Sequence, residues 1–299
     1  MPDGTPSPIS RALVIGARGM LGRAWADELR TRGVGFDAVD LPEFDVRDDE
    51  TVRLALGRGR YSHVLNAAAW TDVDGAESDE AGADELNATA LGCVAAACAA
   101  AGSHLVHIST DYVFSGDTDR PYATDAPHDP VNAYGRSKAK GESVLFASGA
   151  SWTLIRTSWL YAPWGANFVR TMVRLFQERD TVRVVDDQRG RPTSVRTLAR
   201  ASLDLLRGAR AGTWHVTDRG ETTWYGLAAE IARITGSPCR VEPCGSGSFP
   251  RPARRPAYSV LDITETERTL DWLPTWEDAL ARVLGEIAGG RREEGSTRA

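Results

Sequence analysis

Short apolar runs alternate with amphipathic stretches through the first half of the chain. Ala12-Leu13-Val14-Ile15 is an uninterrupted apolar run that predicts a buried strand. From 20 to about 31, Leu21, Trp25 and Leu29 recur at helical spacing, so a helix follows at once. The same reading gives strands over 35–40, 63–69, 104–108 and 153–156. It gives helices over 80–101, where Leu86, Leu91, Val94 and Cys98 lie among many alanines, and over 131–146. Strands that alternate with helices through right-handed crossovers predict an α/β fold with a doubly wound parallel sheet, reactive where the strands end. Past Trp159 the rhythm changes and Trp, Pro and Arg become more frequent. Residues 187–193 read as a turn, 197–207 as a helix returning to the sheet, and Thr223-Trp224-Tyr225 as the start of a helix through Ile234. Arg251-Pro252-Ala253-Arg254-Arg255-Pro256 is too rigid and too basic for a core element. The predicted division is a sheet domain over 10–160 with a return segment at 187–215, and a smaller C-terminal lobe from 161–186 and 216–288. Residues 1–9 and 289–299 are predicted to be disordered tails.

The first strand runs directly into Gly16-Ala17-Arg18-Gly19-Met20-Leu21-Gly22. A glycine turn between strand and helix suits the pyrophosphate of a dinucleotide. Gly16 permits the tight turn, Gly19 lets the backbone approach the anion, and Gly22 lets the helix pack closely. The N-terminus of the helix then faces the anion with its dipole. The spacing is Gly-x-x-Gly-x-x-Gly rather than the commoner Gly-x-Gly-x-x-Gly. Asp40 closes the second strand at the distance where a carboxylate meets an adenosine ribose; a plain strand-end turn acid is the alternative. Asp45 and Val46 are expected beside the adenine, and Asn66-Ala67-Ala68 leave room for a ligand at the end of the third strand. Asp40 suits a ribose hydroxyl and Arg18 a 2′-phosphate, so these residues leave NADH against NADPH open.

Tyr134 and Lys138 are four apart in a predicted helix, so their side chains share a face. A free phenol has a pKa of about 10 and works poorly near neutrality unless a fixed cation stabilises its phenolate. Lys138 is expected to supply that charge. Ser109-Thr110-Asp111, at the end of the preceding strand, adds a hydroxyl and a carboxyl. By itself the Tyr-x-x-x-Lys spacing also fits a solvated helix face; the strand, turn and helix around Gly16 favour the chemical reading.

Composition narrows the classes. A net charge of −6 and a pI near 5.5 give no electrostatic footprint for nucleic acid, and no apolar run approaches a membrane span. The opening Met1 to Pro8 has neither a basic n-region nor an apolar core, and a cytoplasmic protein is expected. Cys93, Cys98, Cys239 and Cys244 follow no zinc or redox spacing and read as incidental thiols.

Taken together, these residues resemble the extended short-chain dehydrogenase/reductase superfamily, and within it the dTDP-4-dehydrorhamnose reductase family, over roughly residues 10–287. The resemblance is carried by Gly16 to Gly22, Asn66 to Asp74 with Ala76-Glu77, Ser109 to Phe114, Tyr134 to Lys138 and Arg156 to Trp159. Beyond these come Asn167-Phe168, Asp187-Gln188 with Gly190 and Pro192-Thr193, Thr223-Trp224, and Ala253 to Pro256. It implies a Rossmann-type fold and a C-terminal substrate-binding lobe. It also implies NADPH as cofactor, with NADH the alternative, and reduction of the C4 ketone of a dTDP-6-deoxy-hexos-4-ulose. By the same resemblance Tyr134 is the acid, Lys138 lowers its pKa and bonds the nicotinamide ribose, and Thr110 donates to the substrate oxygen. Gly16, Arg18, Gly19, Met20, Leu21, Gly22, Asp40, Asp45, Val46, Asn66, Ala67 and Ala68 are the expected cofactor residues. Asp111, Tyr112, Trp159, Asn167 and Arg255 are the expected substrate residues, with Arg254 a rival for the diphosphate. A dihydrostreptose synthase is the runner-up among enzymes, and a non-catalytic subunit like methionine adenosyltransferase β is the alternative from another class. Some family members dimerise through magnesium held by carboxylates. The matching stretches here, 22–25 and 194–200, carry arginines instead, so no metal is expected, and the chain is expected as a monomer or a metal-independent homodimer.

Overall fold

A computed structural model describes residues 8–208 and 211–296. In chain order the elements are β1 (Arg11–Ile15), α1 (Met20–Thr31), β2 (Gly35–Val39), α2 (Asp49–Gly59), β3 (His63–Asn66), α3 (Gly75–Ser78), α4 (Glu80–Asp84), α5 (Ala90–Ala101), β4 (His104–Thr110), α6 (Ala133–Phe146) and β5 (Trp152–Thr157). They continue with β6 (Leu160–Tyr161), α7 (Phe168–Glu178), β7 (Thr181–Val185), β8 (Arg189–Gly190), β9 (Thr193–Ser194), α8 (Val195–Arg207) and β10 (Gly212–His215). The last are β11 (Thr222–Thr223), α9 (Trp224–Thr235), β12 (Arg240–Cys244), α10 (Thr264–Thr269) and α11 (Trp276–Ser296).

Six strands form one parallel sheet in the order β10-β5-β4-β3-β1-β2. The order reverses beside β1, the switch point at which such sheets bind ligands. Because side chains alternate across a strand, β1 serves two cores. Ala12 and Val14 face a layer that holds Trp25 and Leu29 of α1 with Leu198 and Leu205 of α8. Leu13 and Ile15 face the layer that holds Leu91, Val94 and Cys98 of α5. The Trp25 indole, fully buried, donates to Ser202 Oγ at 2.7 Å and ties α1 to α8. Strand register sets the depth of the site: Asn66 pairs with His107, and β4 runs three residues further to Thr110.

The third core belongs to the smaller lobe. Val169, Met172, Val173 and Phe176 of α7 meet Val182 and Val184 of β7, Leu227 and Ile231 of α9, and Leu280, Val283 and Leu284 of α11. β7 and β12 form its parallel ribbon.

Several boundaries differ from the sequence expectations, each for a local reason. The predicted helix over 80–101 is broken by a π-helical turn at Glu85–Thr89. That turn coincides with a contact so close that a Cβ at Gly141 of α6 would lie 2.2 Å from Asn87 O. The helix expected from 131 starts at Ala133, because the Asn132 side chain caps it by accepting from Gly135 N at 2.8 Å. Ser194 caps α8 in the same way, so that helix begins at Val195. The turn expected over 187–193 contains the short strands β8 and β9. At the ends, Ile9 packs against the first core and α11 continues to Ser296. Of the tails expected there, 1–7 and 297–299 lie outside the described residues.

Candidate active site

The glycine turn is closely packed. Gly16 has φ +76°, and a Cβ there would meet Ala68 N at 2.9 Å and Ala67 C at 3.0 Å. A Cβ on Gly22 would lie 2.2 Å from Gly16 O, so α1 can start this near the turn only with glycine at that position. Gly19 is the N-cap of α1 and offers no capping side chain, and the first turn of the helix carries no acid. These features fit the pyrophosphate of a dinucleotide at the helix terminus, with Met20 and Leu21 in its first turn.

The acidic residues near the end of β2 are partly committed. Asp40 accepts from Arg18 N at 2.6 Å and from Leu41 N at 2.8 Å, so it shapes the turn. The Arg18 side chain pairs with Glu43 at 2.9 Å, reaches Leu41 O, and is mostly exposed. Asp45 is paired with Arg47 at 2.6 Å, and the Val46 side chain is buried in the second core.

Beyond the sheet edge, β4 delivers Thr110, Asp111 and Tyr112 to the start of α6. Thr110 Oγ1 donates to Asp111 Oδ1 at 2.9 Å and accepts from Tyr112 N at 3.2 Å. The Tyr112 ring meets the Tyr134 ring edge-on at 5.9 Å, and Arg255 Cζ lies 5.9 Å from the Tyr112 ring centre. Thr110, Asp111, Tyr112, Tyr134 and Arg255 are therefore brought together. Burial pushes the Tyr134 phenol up to about 12; the Thr110 hydroxyl draws it down and the Asp111 charge adds to the rise. Burial likewise pushes Asp111 up to about 7, against hydrogen bonds from Ser259 and Thr110. Its Oδ2 has no partner.

Lys138 departs from the expected arrangement. Its Nζ is buried and turned to the strand, 2.7 Å from Ile108 O and 3.2 Å from His107 Nε2. Burial lowers it to about 8, with the Glu142 charge opposing. Lys138 Nζ faces β4, and the groups that shift the Tyr134 phenol are burial, Thr110 and Asp111.

Residues that the sequence reading left without a role hold α6 in place. Glu142, one turn beyond Lys138, is buried and bonded to Arg156 Nη2 at 2.6 Å, His128 Nε2 at 2.8 Å and Ser109 Oγ at 2.5 Å. Glu77 Oε1 accepts from Ala133 N at 2.7 Å, and Asn87 bonds both Trp70 and Ser137. The stretch from Asn66 to Glu77 thus fixes the helix that carries Tyr134. A carboxylate one turn beyond Lys138, on the same side of the helix, was the available signal.

The other residues expected to meet a substrate lie on or against the smaller lobe. Trp159, with φ +46°, stacks on Trp224 at 3.7 Å and packs on Gly190, where a Cβ would come within 2.6 Å of the indole. Asn167 caps α7 by accepting from Arg170 N at 3.1 Å and donates to Ala162 O at 2.9 Å, so its amide is engaged within the lobe. Arg255 pairs with Asp74 at 3.0 Å, while its Nη1 is buried without a partner. Arg251 and Ala253 N bond the same carboxylate, and Arg254 offers its carbonyl to Asn132. Asp74, quoted in the motif but given no role, is thus the clasp between the basic loop and the sheet domain. Among the described residues no group of His, Cys, Asp and Glu is arranged to hold a metal ion. Arg196 instead bridges Asp27 at 3.2 Å and Glu286 at 2.8 Å.

The profile of the RmlD substrate binding domain matches residues 10–288. A Streptomyces griseus protein named dTDP-4-dehydrorhamnose reductase is 42% identical over 293 residues, covering 95% of this chain and 96% of that one. A Streptomyces niveus protein named dTDP-4-keto-6-deoxy-D-glucose reductase is 44% identical over 253 residues, covering 84% and 88%. Among solved structures, a dTDP-4-dehydrorhamnose reductase from Bacillus anthracis in complex with NADP superposes with a TM-score of 0.89 at 34% identity, covering 93% of this chain and 99% of that one. With the glycine turn, the Thr110, Tyr134 and Lys138 set and the clasped basic loop all in the matched region, the chain belongs to the dTDP-4-dehydrorhamnose reductase family, the family of the RmlD substrate binding domain.

Proposed function

We propose that the protein uses NADPH to reduce the C4 ketone of a dTDP-6-deoxy-hexos-4-ulose, taking dTDP-4-dehydro-L-rhamnose to dTDP-L-rhamnose. The observation that carries this reading is the Tyr134 phenol beside Thr110 at the end of β4, in a chain of this family. When bound, the nicotinamide supplies a hydride. The task of the protein is then to hold the ketone oxygen and protonate it. Tyr134, protonated throughout the neutral range, donates to the developing alkoxide, a stronger base than phenolate. Thr110 turns its hydroxyl from Asp111 to the same oxygen. General-acid help of this kind is worth ~10²–10⁴ in rate. Gly16, Gly19 and Gly22 hold the pyrophosphate, and Arg18 leaves Glu43 for the 2′-phosphate.

The lobe of 161–186 and 216–288 holds the sugar nucleotide against the sheet domain of 10–160. Trp159 walls the deoxysugar. The unpartnered Nη1 of Arg255 suits a diphosphate oxygen. No described helix is long and apolar enough to cross a membrane. The reading includes a cytoplasmic enzyme that works as a monomer or metal-independent homodimer. The test is cofactor oxidation with dTDP-4-dehydro-L-rhamnose, with the 6-deoxy-D-glucose 4-ketone compared as substrate. Turnover of the first, faster with NADPH than with NADH, is expected. Absence of turnover with either sugar overturns the reading.

A further inference from the structure

Beneath Lys138 lies a closed row of hydrogen-bonding groups whose proton count does not balance if the lysine is a fixed cation. His107 is 2% exposed and sits between two side chains. Its Nδ1 is 3.2 Å from Asn66 Nδ2, and its Nε2 is 3.2 Å from Lys138 Nζ. The orientation of Asn66 is set from outside the row, because its Oδ1 accepts from Ala68 N at 3.0 Å, leaving the amide NH₂ toward the ring. Burial, the largest cause, and any charge on Lys138 both hold the imidazole well below its ordinary pKa; burial acts whatever the state of the lysine, so the ring is neutral, with one N–H and one lone pair. Both neighbours offer it donors, and it can accept from only one.

With Asn66 anchored, the lone pair belongs at Nδ1 and the proton at Nε2. That N–H points at Lys138 Nζ. An ammonium has no lone pair to receive it, whereas a neutral amine accepts it and still donates to Ile108 O at 2.7 Å. We propose that Asn66 and His107 act as a positioning pair: by fixing the imidazole as the Nε2–H tautomer they favour the uncharged amine of Lys138 and make its charge reversible.

The other titratable groups around Lys138 do not account for this. On its own helix are Tyr134, which is neutral, and Glu142, whose charge favours the ammonium and is taken up by Arg156 of β5, His128 and Ser109. Asp111, after β4, acts on Tyr134. Burial favours the amine as well, and it is burial that lowers Lys138 to about 8. The inference rests on Lys138 belonging to the reductive site, yet it is read on the protein without substrate, so its failure is distinct from failure of the proposed reaction.

The chain has two lysines, Lys138 and Lys140, and five histidines, which makes nuclear magnetic resonance of labelled side chains direct. Lys140→Arg leaves one lysine signal, and His107→Phe identifies the His107 nitrogens. The expected results are an unprotonated Nδ1 on His107 and a Lys138 midpoint that rises by about one pH unit in His107→Phe, where the neutral-amine partner is lost. Asn66→Asp presents an acceptor to Nδ1, reverses the tautomer, and is expected to raise the midpoint while His107 is present. In the His107→Phe background its effect should be much smaller. A protonated Nδ1 in the native protein overturns the inference, and so does an Asn66→Asp shift of equal size without the imidazole. The nitrogen measurement needs only native protein, so it decides the matter even where a variant does not fold.

Discussion

Tyr134 is legible because a phenol four residues before a lysine is a chemical pattern, and the structure sets it beside Thr110 and Tyr112. Tyr134→Phe removes the proton donor and keeps the ring, so turnover should fall by ~10²–10⁴ with cofactor affinity retained. Steady-state rates with a cofactor titration check this. Arg18→Ala should raise KM for NADPH and leave KM for NADH nearly unchanged, because only the first carries the 2′-phosphate; equal effects on both would assign Arg18 to the turn alone. Arg255→Ala should weaken dTDP by about 2 kcal/mol, roughly thirtyfold, in calorimetry, the worth of a charge-assisted bond. His107 was not legible. Nothing in the sequence pairs it with Asn66, since that contact exists only through the register of β3 on β4. The engagement of Asn167 as a helix cap was hidden for a similar reason: apart from Met20 Sδ its partners are backbone atoms, which the sequence does not name.

The elements around the glycine turn could be read because strand, turn and helix each obey a local rule, and the turn glycines answer contacts shorter than 3 Å at Gly16 and Gly22. The π turn inside the alanine-rich helix could not be read, since it answers the approach of Gly141, more than fifty residues away. Helix α6 depends on the Glu142–Arg156 pair at 2.6 Å, both side chains almost fully enclosed. Burial alone would push Glu142 up, but His128, Arg156 and Ser109 bring it down to about 2. A carboxyl below its unfolded value of 4.5 contributes stability that is complete above 4.5 and fades as pH falls toward 2. Glu142→Ala leaves the guanidinium buried without its partner and should cost about 3–5 kcal/mol in denaturant unfolding at neutral pH. The loss should shrink as pH is lowered through that window. A constant difference across it would contradict the assignment.

For the whole molecule, the two lobes meet where Asp74 holds Arg251, Ala253 N and Arg255, so the basic loop is held ready beside Tyr112. The lobe itself was only partly legible: the apolar positions 169, 172, 173 and 176 of α7 follow helical spacing, but their partners on α9 and α11 lie far along the chain. Arg196 between Asp27 and Glu286 already neutralises the carboxylates on that surface, so sedimentation and turnover should both be insensitive to EDTA. Loss of a dimer or of activity on chelation would overturn that expectation. The central claim is that a hydride reaches the sugar C4 while Tyr134 protonates the oxygen. Its most direct test uses NADPH labelled with deuterium on each face of C4 in turn, with dTDP-4-dehydro-L-rhamnose, followed by mass spectrometry of the sugar. The account predicts one deuterium at sugar C4 from one face only, with incorporation all but lost in Tyr134→Phe. A reduced sugar without deuterium from either face would contradict it, as would undiminished incorporation in the variant.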